Sequence, residues 1–564
     1  MRRPLFQAFS GVAFTLIVLS QTGLEGQTHR PGSVTEIQLH LDRLEALGYS
    51  GAVGVMRDGE VLVKRAMGYA DRETSTPFTD ETGFFIASIS KQFTAALILA
   101  LDDRGLLSTQ DHLGVHLDDV PPEMSAVTIH HLLSHTAGLL RLQPPSSEVL
   151  VTGEDVLSAG LRAGVEYEPG ARFDYSNFGY AFLAALAERV AGRSYEALMR
   201  EFIFEPAGMH STSVVTESSV WEGRDLAVGY NGFLPQGNSL LARSFGRELV
   251  GPAGIVTTLE DMLRWDEALR GDEVLSQSAL ERMFTPVLDG YAYGWTVWES
   301  QRAGELTAAH DGHIMPEGFN SYYIRLLDSD ASVVVFSNRG DVALAERVAW
   351  ELTDILGGKP APELPEVGRS DVTPSAGLYV SDGGARVRLL RLGEQYYMEP
   401  LNQAAANLFL EEIEQTTAVT RLVERWLAAG DVDPSSPLGI TLAAAQAQET
   451  RFGKYSGHEV IYTVQEDGFM RTHLRHFLGS DTLFTRLDIV DEEVVAGTDW
   501  GAFISGGRGL TPTLAYLGMA PASERSWIAY DFWGDRTVEV SFDGGTLVIP
   551  SRGGTVVLHP TGSH

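Results

Sequence analysis

Between Phe84 and Ala100 the chain is apolar on almost every side: Phe84-Phe85-Ile86-Ala87-Ser88-Ile89-Ser90-Lys91-Gln92-Phe93-Thr94-Ala95-Ala96-Leu97-Ile98-Leu99-Ala100. From Ser88 onward the pattern predicts a helix, free of Gly and Pro, with Gly105 placed to stop it. A helix apolar nearly all round is a buried one. Upstream, residues 35–47 repeat their apolar positions at helical spacing and end at Gly48. Residues 51–56 and 61–67 are apolar runs around Arg57-Asp58-Gly59-Glu60, which predicts a hairpin. Downstream the pattern gives a helix over 181–191 and mixed helix and loop to about 250. A capped helix then ends near Leu269, and strand-like sequence begins at Tyr293. Strands over 322–327 and 332–337 and a helix over 344–356 complete this part.

Gly357-Gly358-Lys359-Pro360-Ala361-Pro362-Glu363-Leu364-Pro365 then reads as a linker. The expected organisation is a first domain over 34–358, a linker over 359–370 and a β-rich region over 371–564. In the last, strand-like runs at 377–381, 387–392 and 395–398 have a weak second copy at 452–456, 460–465 and 469–474. An Ala-rich, partly helical stretch over 402–450 separates them. Short strands with Gly-rich turns continue to His559, the pattern of a barrel or sandwich.

Composition narrows the class. With 564 residues, two or three domains are expected, and 44% hydrophobic with 21% charged residues is a globular balance. A formal net charge of −33 argues against nucleic acid or an anionic membrane surface as partner, because both require a positive face. There is no cysteine, which excludes disulfides, thiolate metal sites and a lipid-anchored N-terminal cysteine. Met1-Arg2-Arg3 followed by a short apolar run from about Ala8 to Leu19 reads as a secretory signal over 1–26. That run is too short to span a membrane comfortably, and no other apolar run approaches ~20 residues. The expected mature chain carries no membrane span and is periplasmic or secreted.

The buried helix carries an anomaly. Ser88 and Lys91, three residues apart, share one face of its first turn. A buried ammonium is unfavourable and its pKa falls, which suits a lysine that must take a proton from a serine hydroxyl. Ser-x-x-Lys is short enough to occur by chance in a chain of this length, and a capping serine followed by a surface lysine is the plain alternative. Tyr175-Ser176-Asn177, after the Pro169-Gly170 turn and before a helix, is a loop able to aim two polar side chains into a cleft. His135 is tempting as a base. His130, His131 and the histidines near 473 to 476 lack companions at metal-ligand spacing.

The wording around these residues resembles the serine β-lactamase and penicillin-binding-protein superfamily. It is nearest the branch of class C β-lactamases, D-aminopeptidases, H-x-G carboxypeptidases and family VIII esterases. The resemblance rests on Gly83 to Ala95, on Val127 to Leu139, on Phe173-Asp174-Tyr175-Ser176-Asn177-Phe178-Gly179-Tyr180 and on His310-Asp311-Gly312, and it covers roughly residues 34–358. It implies an α/β (α+β) fold: a mainly antiparallel sheet flanked by helices, a helical subdomain, and a C-terminal lipocalin-like barrel. It implies an acyl-enzyme on Ser88, with Lys91 and Tyr175 moving protons and Asn177, His310 and Gly312 holding substrate. The backbone N–H groups of Ser88 and His313 would form the oxyanion hole. His135 becomes a structural turn residue. Compared with the family wording, two extra residues stand before Glu317.

A histidine at 310 supplies no permanent charge near pH 7. This favours D-amino-acid peptides, amides or small esters over penicillins. The alternatives are a class C-like β-lactamase and a catalytically silent, peptidoglycan-sensing binder. No cofactor and no metal are expected, and the partner is a small-molecule or peptide substrate. The sequence leaves oligomeric state and the choice of Lys91 or Tyr175 as base open.

Overall fold

The computed structural model describes residues 34–139, 151–231, 234–240, 246–314, 317–340, 344–392, 395–409, 414–429, 436–446, 454–466, 469–478, 481–490, 493–497, 517–531, 536–543, 545–551 and 554–561. The leader pattern, Met315, Pro316, Phe452 and Gly453 lie outside these residues.

The predicted hairpin is present as strands Gly51–Arg57 and Glu60–Met67. Asp58 and Gly59 between them both take positive φ, 52° and 78°, the two-residue turn whose twist matches a hairpin. The hairpin joins four later strands in a six-stranded antiparallel sheet, ordered Thr296–Ser300, Glu305–Ile314, Phe319–Leu326, Ala331–Ser337, Gly51–Arg57, Glu60–Met67. Strands Phe319–Leu326 and Ala331–Ser337 are buried at every position, so both sheet faces are covered. On one face the terminal helices Val34–Ala46 and Leu344–Leu356 pack Ile37, Leu41, Val348 and Leu352 onto Val53, Ile324 and Val335. On the other, Ala52, Tyr323 and Phe336 meet Phe84, Phe93 and Trp265 in the larger core.

The central helix runs from Ser90 to Asp103 and buries every residue through Leu101. It ends as predicted at Gly105, whose φ of 67° lets Leu106 N–H reach Leu101 O (3.0 Å) and Gly105 N–H reach Asp102 O (2.8 Å).

The C-terminal part holds an eight-stranded closed barrel, closed where Gly377–Ser381 pairs with Gly554–Pro560. Its centre is filled by Val387, Leu389, Met398, Trp527, Val540 and Leu547, with Phe409 of helix Gln403–Phe409 against them. The expected second copy is not a repeat of the barrel. Its strands belong to a separate four-stranded sheet, Tyr455–Glu466 to Glu493–Gly497, inserted between barrel strands Gln395–Pro400 and Leu517–Pro521.

From Gly357 to Ala376 the chain forms no helix or strand, yet it is tied down. Leu364 is buried, and Gly368 N–H reaches Pro521 O at 2.8 Å. Barrel residues Ala520, Ile528 and Tyr530 share an apolar cluster with Leu352 and Leu356. Beside them His40 Nε2 meets Glu351 (2.8 Å), and Arg347 donates to Glu351 (2.7 Å) and to the Tyr530 hydroxyl (3.0 Å).

Candidate active site

The site is built on the turn that leads into the central helix. Phe84 and Phe85 form a short strand paired with Ile255–Thr257. Phe84 stacks on Phe336 at 4.6 Å between ring centroids, and Phe85 meets Phe319 at 6.1 Å. With both rings anchored, Ala87 takes a left-handed φ of 48°, a conformation that costs a non-glycine residue about 1–3 kcal/mol. A single 3₁₀ turn, Ala87–Ile89, follows before the α-helix begins. Ser88 sits on that turn and is half-buried while both its neighbours are buried. The Ser90 hydroxyl is committed elsewhere, accepting from Ile255 N–H at 3.1 Å.

Lys91 is fully buried. Its Nζ lies 3.1 Å from Ser88 Oγ, 2.7 Å from Asn177 Oδ1 and 3.0 Å from Pro252 O. It also lies 4.7 Å from the centre of the Tyr175 ring. Burial pushes the ammonium down to about 7, while the Asp311 carboxylate works weakly the other way. The group is therefore poised between charged and neutral forms near physiological pH.

Asn177 opens helix Asn177–Ala191, which starts four residues earlier than the sequence suggested. The Ser176 hydroxyl caps it by accepting from Gly179 N–H at 3.2 Å. Burial, and then the Asp311 charge, hold the Tyr175 phenol well above its ordinary value, and a hydrogen bond with Ser88 opposes them. Tyr175 is thus a neutral phenol in the resting site. His135, at a left-handed φ of 57°, accepts Ser176 N–H on Nδ1 at 3.1 Å and packs its ring 4.3 Å from that of Tyr175. It acts on the site through the Tyr175 loop.

His310 is buried, and both its nitrogens are engaged inside the protein. Nδ1 donates to Asp311 O at 2.6 Å, which leaves Nε2 to accept from the Tyr291 hydroxyl at 3.1 Å. Burial keeps the ring neutral. The next turn of the strand is equally constrained. Gly312 faces Ile86, and a Cβ there would lie 2.2 Å from Ile86 O and 2.3 Å from Ser321 Oγ. Ser321 Oγ reaches both Ile86 O (2.9 Å) and Gly312 O (3.1 Å), so one hydroxyl fastens the nucleophile turn to the strand. Up to Ile314, before the extra residues, the strand is regular. The ladder runs in register through Gly312↔Ser321, His313↔Asn320 and Ile314↔Phe319. We expect Gly312→Ala to lose about 1–3 kcal/mol of stability by overpacking, together with most activity, because backbone must move to admit the methyl group. Thermal unfolding beside kcat checks this.

Residues 42–356, more than half the chain, match the family model described as Beta-lactamase. The chain belongs to the beta-lactamase family. It is a serine hydrolase by that membership. Penicillin-binding protein 4* of Bacillus subtilis (strain 168) is 28% identical to this beta-lactamase-family chain over 407 residues, 66% of the chain and 89% of that protein. A D-aminopeptidase of Brucella anthropi is 28% identical over 472 residues, 78% of the chain and 85% of that protein. The octameric penicillin-binding protein homologue from Pyrococcus abyssi shares the fold, with a TM-score of 0.51 at 20% identity, covering 81% of this chain and 96% of that one.

Sequence reading missed four contributors to this beta-lactamase-family site: the Pro252 carbonyl, Tyr291, Ser321 and the exposed side chain of Asp311. Gly251-Pro252-Ala253-Gly254 carried a signal as a glycine-rich turn before a capped helix, and the structure gives the reason for its first glycine, where a Cβ would lie 2.3 Å from Tyr180 O. The others sit in unremarkable strand and turn sequence.

Proposed function

We propose that this chain is an exported serine hydrolase that forms an acyl-enzyme on Ser88, acting on D-amino-acid peptides and amides or on small esters. The observation that carries the reading is the set of three partners around Lys91 Nζ. Asn177 Oδ1 and Pro252 O can only accept. A neutral amine gives its two N–H groups to them and turns its lone pair to Ser88, which is the arrangement of a general base. Ser88 Oγ then attacks the carbonyl carbon as its proton passes to Lys91. Collapse of the tetrahedral intermediate expels the amine or alkoxide. It leaves with a proton from the Tyr175 phenol, which is resupplied by Lys91. Water, activated by the same pair, releases the acid. Lys91 fits the base better than Tyr175, whose phenol burial holds neutral. Asn177 and Gly312 border the bound substrate, and His310 supports Tyr175 as an uncharged neighbour rather than as a grip for a carboxylate. The backbone N–H groups of Ser88 and His313 are the proposed oxyanion donors, a reading supported by the close approach of Gly312 to Ile86.

The substrate class follows from the neutral His310 and from similarity to proteins named D-aminopeptidase. Export follows from the basic start and short apolar run at the N-terminus. The test is the intact chain against a fluorophosphonate probe, a fluorescent penicillin and D- and L-amino-acid p-nitroanilides and p-nitrophenyl esters. We expect fluorophosphonate labelling and turnover of D- over L-substrates. Absence of both labelling and turnover would refute the reading, and fast nitrocefin hydrolysis would move it to a β-lactamase.

A further inference from the structure

The strand that carries His310 and Gly312 also carries a carboxylate with no part in the proton relay. Asp311 lies between two buried residues of strand Glu305–Ile314, yet its side chain is 55% exposed. Its Oδ2 accepts from His313 Nδ1 at 3.1 Å, and its Oδ1 lies 3.8 Å from His310 Nδ1. The strand register sets Asp311 opposite Tyr322. Its negative charge is felt at Lys91, Tyr175 and Tyr291. Desolvation works against the carboxylate, but the hydrogen bond and charge of His313, the His310 ring and a backbone hydrogen bond together hold Asp311 below the usual carboxylate range. The site thus holds one buried amine able to lose its charge, an uncharged His310 and, on the strand beside the nucleophile turn, a carboxylate hydrogen-bonded to His313, an imidazole that, against its desolvation, this contact raises above its ordinary value.

We propose that Asp311 is a specificity-determining residue that excludes substrates bearing a carboxylate next to the scissile bond, so that amides, esters and amine-bearing substrates are taken in preference to free C-terminal acids. The inference rests on the acyl-hydrolase reading above and adds to it the charge of the group accepted along the oxyanion strand. A carboxylate laid along this strand meets a like charge whose field already reaches the reacting groups. Because the Asp311 side chain is half in water, the repulsion is that of a partly exposed pair. Such pairs are worth roughly fivefold in rate or less, and salt weakens them.

Two substrates that differ only in this group decide the matter: D-alanyl-D-alanine and D-alanyl-D-alaninamide, each with the full chain. The measured quantity is the ratio of kcat/KM for the amide over that for the acid. We expect the wild-type ratio to exceed one, to fall severalfold in Asp311→Asn, and to narrow in the wild type as salt rises from about 0.01 M to about 1 M, which shortens the screening length from ~30 Å to ~3 Å. The salt arm needs no variant, so poor folding of Asp311→Asn does not remove the test. Turnover of both substrates with a ratio that neither the substitution nor salt changes would overturn the role of Asp311 alone. Turnover of neither would overturn the D-amino-acid peptide and amide reading beneath it, while fluorophosphonate labelling tests the acyl-enzyme on Ser88 separately.

Discussion

Ser88→Ala is expected to lower kcat/KM by about 10⁴-fold or more, as loss of a covalent nucleophile does in serine hydrolases generally. The fold should barely notice. Ser88 is half-buried on a 3₁₀ turn, Ala is compatible with that turn, and no cavity larger than a hydroxyl is left. What the substitution removes is the oxygen 3.1 Å from Lys91 Nζ. Intact-protein mass spectrometry after fluorophosphonate treatment should show one adduct on the wild type and none on the variant, with unfolding midpoints nearly equal. An adduct of equal yield on Ser88→Ala would put the nucleophile elsewhere. Ser90 is the nearest hydroxyl in sequence, but it is already held by Ile255 N–H.

Lys91→Met should be nearly as damaging to activity, with a loss of at least about 10³-fold, and it should change how stability responds to pH. The two effects share one cause. Burial pushes the wild-type ammonium down to about 7, whereas an unfolded chain holds it near its ordinary value of about 10.5. Between those values the unfolded chain binds the extra proton. Wild-type stability therefore rises with pH from about 7 to about 10.5 and levels off below about 7, where folded and unfolded chains both hold the proton. The slope from this one group reaches at most about 1.4 kcal/mol per pH unit. Methionine has nothing to titrate, so denaturant unfolding at pH 6, 8 and 10 should show that increment in the wild type and not in the variant. The same ionisation should appear in kcat/KM of the wild type, rising with pH through about 7. Absolute stability is a poorer readout, because methionine also takes away the donor that Pro252 O accepts from, at about 1–3 kcal/mol.

Much of the scaffold was legible because its signals are local. Asp58-Gly59 specifies its own turn, Gly105 its own helix stop, and the all-round apolar face of residues 90–101 its own burial. The Ser88–Lys91 pair was readable from its spacing at a helix start, whereas the arrival of Tyr175 and Asn177 beside it rested on the family resemblance alone, because nothing local brings residues 86 apart together. The start of the Asn177 helix was set four residues late because Gly179 and Tyr180 are indifferent helix formers and the cap lacks the usual acidic partner. Other features depend on contacts between distant segments. The Pro252 carbonyl is backbone, and any sequence at that turn presents one. Ser321 matters only because strand register sets it opposite Gly312. The inserted four-stranded sheet and the barrel use the same alternation of apolar and polar residues, so pairing alone tells them apart.

The position of the first hairpin in the sheet bears on how the protein is made. Gly51–Arg57 is an interior strand whose second neighbour, Ala331–Ser337, is translated roughly 280 residues later. At about 5–20 residues per second, a growing chain carries that apolar strand with one side unpaired for roughly 15 to 60 s. Ala52, Val53 and Val55 are then an open template for a neighbouring nascent chain. Recombinant yield should accordingly depend on chaperone supply and growth temperature more than on the stability of the finished molecule.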